Sequence, residues 1–366
     1  MYQELERKVY RLGKEQYGAS MPKLITYRLN RELQYISQHN LAADFLLVSG
    51  ISDALRAGGV PFLLHGSTGN FLAAYLLGIT AINSLPPHYK CPDCHHMEFT
   101  DADTDGFDLP PKRCQSCGAL MVSDGHRQSC GRFTTDKFLA PYALREIGTT
   151  RRGIAIIDQT LSAQGPVTPV AFSNGGLVGW ALVPLGRFVP EQIVRVCFPG
   201  PGHRIEPGIS IDAAKSVPYL LAFEHTALER LEFLLQRTGL SRSQVPTNDP
   251  AIYEAFRTAA LQLSVKRRTL LYETGLLPDE LSPIRLALWT GSVGTPWSFS
   301  RLVSLHMADF KLRFADLPFA AVCSTQDAAK GLPEDRTAET VMAACQLAWF
   351  SLRYPKAYQD ALSIDV

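Results

Sequence analysis

An α+β fold with a metal-stapled insertion is predicted by three observations. Apolar positions recur at helical spacing through residues 1 to about 60, and again from about 225 to the end. Between them, residues from about 150 to 222 carry short apolar runs bounded by glycines, the pattern of strands. Four cysteines, Cys91, Cys94, Cys114 and Cys117, are spaced C-x2-C-x19-C-x2-C in the middle.

Taken in order, residues 6–12 have helical periodicity, and residues 24–39 place Leu24, Ile25, Leu29, Leu33 and Ile36 three and four apart with charges between. A third helix over 42–57 stops at Gly58 and Gly59. Residues 60–64 read as a short apolar strand, followed by His65, Gly66, Ser67, Thr68, Gly69 and Asn70 and a helix over 71–77. Further strands are expected over 153–158, 176–183 and 193–198. Four units follow from this: 1–84 with the N-terminal helices and the turn, 85–130 around the cysteines, 131–224 rich in strands, and 225–366 mainly helical.

The chain has 366 residues and a net charge of +1, from 36 basic and 35 acidic side chains. No global field therefore draws it to nucleic acid or membrane, and any such binding rests on local patches. Its opening residues are charged and lack a signal-peptide pattern, and no apolar run reaches the roughly 18 residues of a membrane span. Cys130, Cys197, Cys323 and Cys345 are scattered singly, as in a reducing compartment. The expectation is a cytoplasmic protein with no membrane contact.

Two C-x2-C knuckles about twenty residues apart supply four thiolates to one tetrahedral Zn²⁺. With all four positions taken by sulfur such a site is structural. Gly118, after the second knuckle, suits the tight turn that a ligating knuckle needs. Unpaired or disulfide-bonded thiols are the alternatives. His95 and His96 follow Cys94 directly and offer a fourth ligand, which the paired knuckles make unnecessary.

Strand, glycine turn and helix over 60–77 suit a phosphate. Free N–H groups and the positive dipole end of a helix N-terminus favour an anion, and Ser67 and Thr68 add hydroxyl donors beside Gly66 and Gly69. A Gly-Ser pair serves equally as a plain helix cap.

Read together, residues 64–94, the second knuckle, Gly106 to Pro110 and Asp124-Gly125-His126 resemble the palm of PolC, the Gram-positive C-family replicative DNA polymerase III α subunit. Residues 28–36 are similar to the helices leading into that palm; residues 225–250 and 336–356 are similar to its link to the fingers and to the late fingers. The resemblance implies a polymerase-β-like nucleotidyltransferase palm with a four-cysteine, zinc-ribbon-like insertion, and a fingers-like helical C-terminal region. It further implies that Gly66, Ser67, Thr68 and Gly69 hold a nucleotide phosphate, and that primer–template DNA and a replication or repair protein are partners.

The departures from that family are equally specific. Two-metal phosphoryl transfer needs carboxylates that clamp two Mg²⁺ ions about 3.5–4 Å apart. The family places an Asp-x-Asp pair shortly after the zinc module, but here Asp136, Glu146 and Asp158 are the only acids over 126–158, and no two are one residue apart. The third family carboxylate falls on Leu221, and the arginine before the glycine turn is His65. Catalytic residues are accordingly expected to be none, and Mg²⁺ enters only if catalysis survives on unaligned acids such as Asp136, Asp158 and Asp212. A protein-interaction scaffold is the third reading. PolC's exonuclease and other flanking domains do not fit within this length.

Other signals read as background. Asp101 to Gly106 imitates the start of an EF-hand, but position twelve is Lys112, so a solvated acidic loop is expected. Arg151-Arg152 and Lys266 to Arg268 are short basic clusters, suited to a DNA backbone or to a solvated face. Trp180, Trp289, Trp297 and Trp349 read as core.

Overall fold

Helix α1 (Tyr2–Tyr17) buries Leu5, Val9, Gly13 and Tyr17, one residue per turn, against α2 (Lys23–Gln38) and α3 (Ala42–Ala57). The computed structural model describes residues 1–64, 71–100, 106, 109–126, 146–164, 168–171, 177–181, 219–247, 249, 251–252 and 334–363. The expected strand over 193–198, the second basic cluster, Trp289 and Trp297 lie outside them.

After α3 the chain enters β1 (Phe62–Leu64) and then the five-residue α4 (Leu72–Leu76). The three-residue strands β2 (His88–Lys90), β3 (Met97–Phe99) and β4 (Val122–Asp124) form a small antiparallel sheet in the order β3-β2-β4. The chain continues through β5 (Glu146–Thr149), α5 (Arg151–Gln164), β6 (Thr168–Ala171), β7 (Leu177–Ala181) and β8 (Tyr219–Glu224). These strands join β1 in a second sheet of order β1-β5-β8-β7-β6, in which only the β5–β8 pair is parallel.

Alternation along β1 divides the core. Leu64 joins Ile147, Leu220 and Ala222 beneath α1–α5, whereas Leu63 turns to the opposite side. There it meets Leu228, Leu231 and Leu235 of α6 (Thr226–Thr238), Phe350 of α7 (Glu334–Arg353) and Tyr358 of α8 (Pro355–Leu362). A period of two sends successive strand side chains to opposite faces, so this edge strand is covered on both. Arg242 fastens the C-terminal helices to the sheet, donating to the Phe62 carbonyl at 2.9 Å and to Gln346 Oε1 at 3.1 Å. Trp349 packs edge-on against Phe350 in this group, in keeping with a core role.

One element differs in type. Residues 153–158, expected as a strand, lie inside helix α5. Ile154, Ile157 and Leu161 recur at helical spacing toward the first core, and Thr150 Oγ1 caps the helix by accepting the Gly153 N–H at 3.1 Å. A four-residue apolar run fits both periodicities; the cap and the next apolar residue decide. The mixed α+β class itself stands.

Candidate functional site

The small sheet presents the cysteines. Strand β2 runs directly into Cys91, and the segment after the second knuckle returns as β4, paired to β2 from His88↔Asp124 to Lys90↔Val122. Its core is slight: Tyr89, Leu109 and Met121 around the buried Cys91 and Cys114. Lys112 lies 5.2 Å from the Tyr89 ring centroid and pairs with Glu98.

Both knuckles have the same backbone. The Cys91 N–H donates to the His96 carbonyl and the His95 N–H to the Cys91 carbonyl; Cys114 repeats this with Ala119 and Gly118. The residue after each pair turns left-handed, with φ 58° at His95 and 78° at Gly118. Glycine meets that demand without strain; a histidine there is held by its surroundings. The bend brings four Sγ atoms within 4.8 Å of one another, with Cys91 3.3 Å from Cys117 and Cys94 3.6 Å from Cys114.

These separations are far beyond the ~2.05 Å of a disulfide and close to the ~3.8 Å edge of a tetrahedron with Zn–S bonds of ~2.3 Å. All four are free thiols. Burial raises the Cys114 thiol, but the N–H groups of Ser116 and Cys117 and the thiols of Cys94 and Cys117 outweigh it and bring it to about 6. The Ala119 N–H lowers Cys117, yet the Cys91 thiol, burial and the remaining thiols push it up to about 12. Four sulfurs this close share poorly more than one negative charge, and a divalent cation relieves that repulsion. The geometry is compatible with zinc. Neither histidine joins the thiols: His95 Nδ1 lies 3.3 Å from the Gln16 carbonyl, and His96 lies 3.5 Å from Glu98.

The glycine turn, Gly66, Ser67, Thr68 and Gly69, lies outside the described residues, as do Asp101 to Asp105, Asp136 and Asp212. Its exit is described, and it corrects one expectation. The N–H groups at the start of α4 are not free: Glu32 Oε1 accepts Leu72 N–H and Glu32 Oε2 accepts Ala73 N–H, each at 2.9 Å. Glu32 is 1% exposed and also pairs with Arg28. Burial raises its carboxyl, opposed by Arg28 and by the two N–H donors. A carboxylate of the chain therefore fills the anion seat at the start of this helix. Glu32 escaped the sequence reading, although it sits on the buried stripe of Ile25, Leu29, Leu33 and Ile36 where a charge is out of place.

A second group missed by the sequence reading joins α4 to the small sheet. Asp124 Oδ2 accepts from Asn83 Nδ2 at 2.7 Å and from the Tyr75 hydroxyl at 3.2 Å. Gln16 donates to the Tyr75 oxygen at 2.9 Å, and Asn83 Nδ2 also reaches the Tyr17 oxygen at 3.2 Å. Burial, then the Asp124 charge, raises both tyrosines. Gly106 itself lies tight against this corner, since a Cβ there would stand 1.9 Å from the Asp124 carbonyl oxygen.

Among candidate acids, Asp158 is exposed on α5. Register pairs Leu221 with Glu146, one step along from the Leu64↔Ile147 pair that ends β1. The basic cluster is neutralised: Arg151 donates twice to Glu224, at 3.0 and 3.1 Å, and Arg152 pairs with Glu232 at 2.8 Å.

This is a mixed helix–strand protein with a four-cysteine centre compatible with zinc. Residues 3–117 match the family model described as the bacterial DNA polymerase III alpha NTPase domain. Over 114 residues the chain is 40% identical to a DNA polymerase III PolC-type of Thermotoga petrophila, covering 31% of this chain and 8% of that protein. It is 36% identical over 126 residues to the PolC-type enzyme of Bacillus subtilis, covering 34% and 9% respectively. The relationship to PolC-type DNA polymerase III is thus carried by the N-terminal third, and the match spans less than a tenth of these relatives. Among the described residues no helix is long and apolar enough to cross a membrane.

Proposed function

We propose that this chain is a catalytically degenerate relative of PolC-type DNA polymerase III α that binds primer–template DNA, as an accessory to a replication or repair protein. Cys91, Cys94, Cys114 and Cys117 hold a structural zinc. The observation that carries the loss of catalysis is the sheet register. The position to which the family resemblance assigns a carboxylate, Leu221, pairs with Glu146 beside the end of β1, where the glycine turn departs. A two-metal site needs several hard oxygen ligands at one place, and these paired positions offer one acid. Asp158, an alternative ligand, lies on the outside of α5.

In this reading residues 1–84 and 131–224 form a polymerase-β-like palm, 85–130 the zinc module and 225–366 a fingers-like unit. Gly66, Ser67, Thr68 and Gly69 contact a phosphate of nucleotide or DNA. Because Glu32 holds the Leu72 and Ala73 N–H groups, that contact comes from the turn itself and not from the first N–H groups of α4.

The test is fluorescence anisotropy of labelled primer–template with the zinc-loaded protein at low and raised salt. Binding that weakens steeply with salt is expected, since each phosphate contact releases counterions. Absence of binding at low salt overturns DNA binding in favour of a protein scaffold. Primer extension with Mg²⁺ or Mn²⁺ overturns the degeneracy.

A further inference from the structure

Helix α4 has five residues, far too few to hold a helical conformation unaided, so its order comes from its neighbours. At its start the neighbour is Glu32. At its end it is the cysteine module, by two routes that meet on one hydroxyl. In the first, β4 returns from the second knuckle and presents Asp124, whose Oδ2 accepts from Tyr75 of α4 at 3.2 Å. In the second, His95, held left-handed directly after Cys94, places Nδ1 3.3 Å from the Gln16 carbonyl. The Gln16 side chain then donates to the same Tyr75 oxygen at 2.9 Å. The knuckle and the C-terminal end of α1, which carries Gln16, are in close apposition, because a Cβ on Gly18 would stand 3.2 Å from the His95 Cβ. Asn83, fully buried, donates to the same Asp124 oxygen at 2.7 Å.

We propose that metal binding at the four cysteines is coupled to the order of α4, with Tyr75 and Asp124 as the positioning residues. The metal fixes the knuckles, the knuckles fix Asp124 and Gln16, and these hold Tyr75. The zinc module thereby sets the helix that leaves the 65–70 turn. Coupling of this kind is reciprocal, so loosening Tyr75 or Asp124 weakens the metal site in turn. The inference rests on reading the four cysteines as a zinc site, and it does not depend on DNA binding.

Hydrogen exchange of the zinc-loaded full chain, before and after chelation, tests it together with competitive zinc titration of Tyr75→Phe and Asp124→Asn. Chelation is expected to speed exchange over residues 72–77 as well as 88–99, while residues 226–238 stay unchanged. Both variants, shown folded by circular dichroism, are expected to bind zinc about tenfold more weakly, the size of an outer-shell loss. Tyr75→Phe keeps the ring, so it remains informative if Asp124→Asn fails to fold. Faster exchange confined to 88–99, or wild-type zinc affinity in the folded variants, overturns the coupling. A chain that takes up no zinc overturns the zinc reading itself, a result distinct from either.

Discussion

The carboxylate of Glu32 is seated on the start of α4, with Oε1 2.9 Å from the Leu72 nitrogen across 40 positions of sequence. The helix N–H groups that the strand–turn–helix pattern suggests for an anion are satisfied from within. Glu32, Arg28 and the two N–H donors form one polar group beside an apolar layer.

Replacing Glu32 by Ala leaves Arg28 without its buried counter-charge and two N–H groups without an acceptor. The expected cost is about 3–5 kcal/mol, the range for breaking a buried pair. Urea unfolding measures it. A loss below about 1 kcal/mol, the scale of a surface pair, would mean that the carboxylate is solvated.

Each chain is expected to carry one zinc ion, and Cys91→Ser or Cys114→Ser to abolish stoichiometric binding. With three-residue strands and a core of a few side chains, the small sheet has little else to hold it. Metal analysis of the purified chain, with near-ultraviolet circular dichroism around Tyr89, checks both. Metal-free protein with an unchanged spectrum would sink the structural role.

Acid is expected to destabilise the fold through His225. Burial lowers this histidine from the ordinary 6.5 to about 4, so between those values the unfolded chain binds a proton that the folded chain does not. Stability is then fully present above pH 6.5, falls as pH drops toward 4, and levels off below it. At 1.36 kcal/mol per pH unit the loss is about 3 kcal/mol. Burial lowers His88 likewise, adding in the same direction, while the raised Glu32 acts oppositely. The difference in urea midpoint between pH 7.5 and pH 5 should shrink in His225→Leu, and an identical difference would contradict the assignment.

Arg242→Ala should loosen the C-terminal helices from the sheet. It removes charge-assisted bonds to Phe62 and Gln346, each worth about 1.5–3 kcal/mol. Limited proteolysis is expected to cut near residue 242 while sparing 1–64. Wild-type resistance would show that the apolar cluster alone suffices.

Local chemistry made much of this protein legible. The C-x2-C spacing and Gly118 announced the knuckles, because a thiol pair and a left-handed turn are each specified within a few residues. Helices α1–α3 followed from apolar periodicity, because one buried stripe repeats every turn. The run at 153–158 misled, since four apolar residues satisfy strand and buried helix alike, and the Thr150 cap and Leu161 tipped it to helix. The resemblance to PolC pointed to the relationship, but it carried no hint that Glu32 would reach α4.

The four-thiol centre, the helical N-terminus and the relationship to PolC are legible from the residues alone. These are encoded in short patterns that need no distant partner. Long-range packing is what seats Glu32 on α4, joins Tyr75 to Asp124 and Gln16 on one hydroxyl, and pairs Arg151 and Arg152 with Glu224 and Glu232. Those pairs lie 41, 49, 59, 73 and 80 positions apart, and a polar side chain in sequence looks the same whether it faces water or a buried partner. Chain folding supplies the partner, and desolvation makes the pairing obligatory.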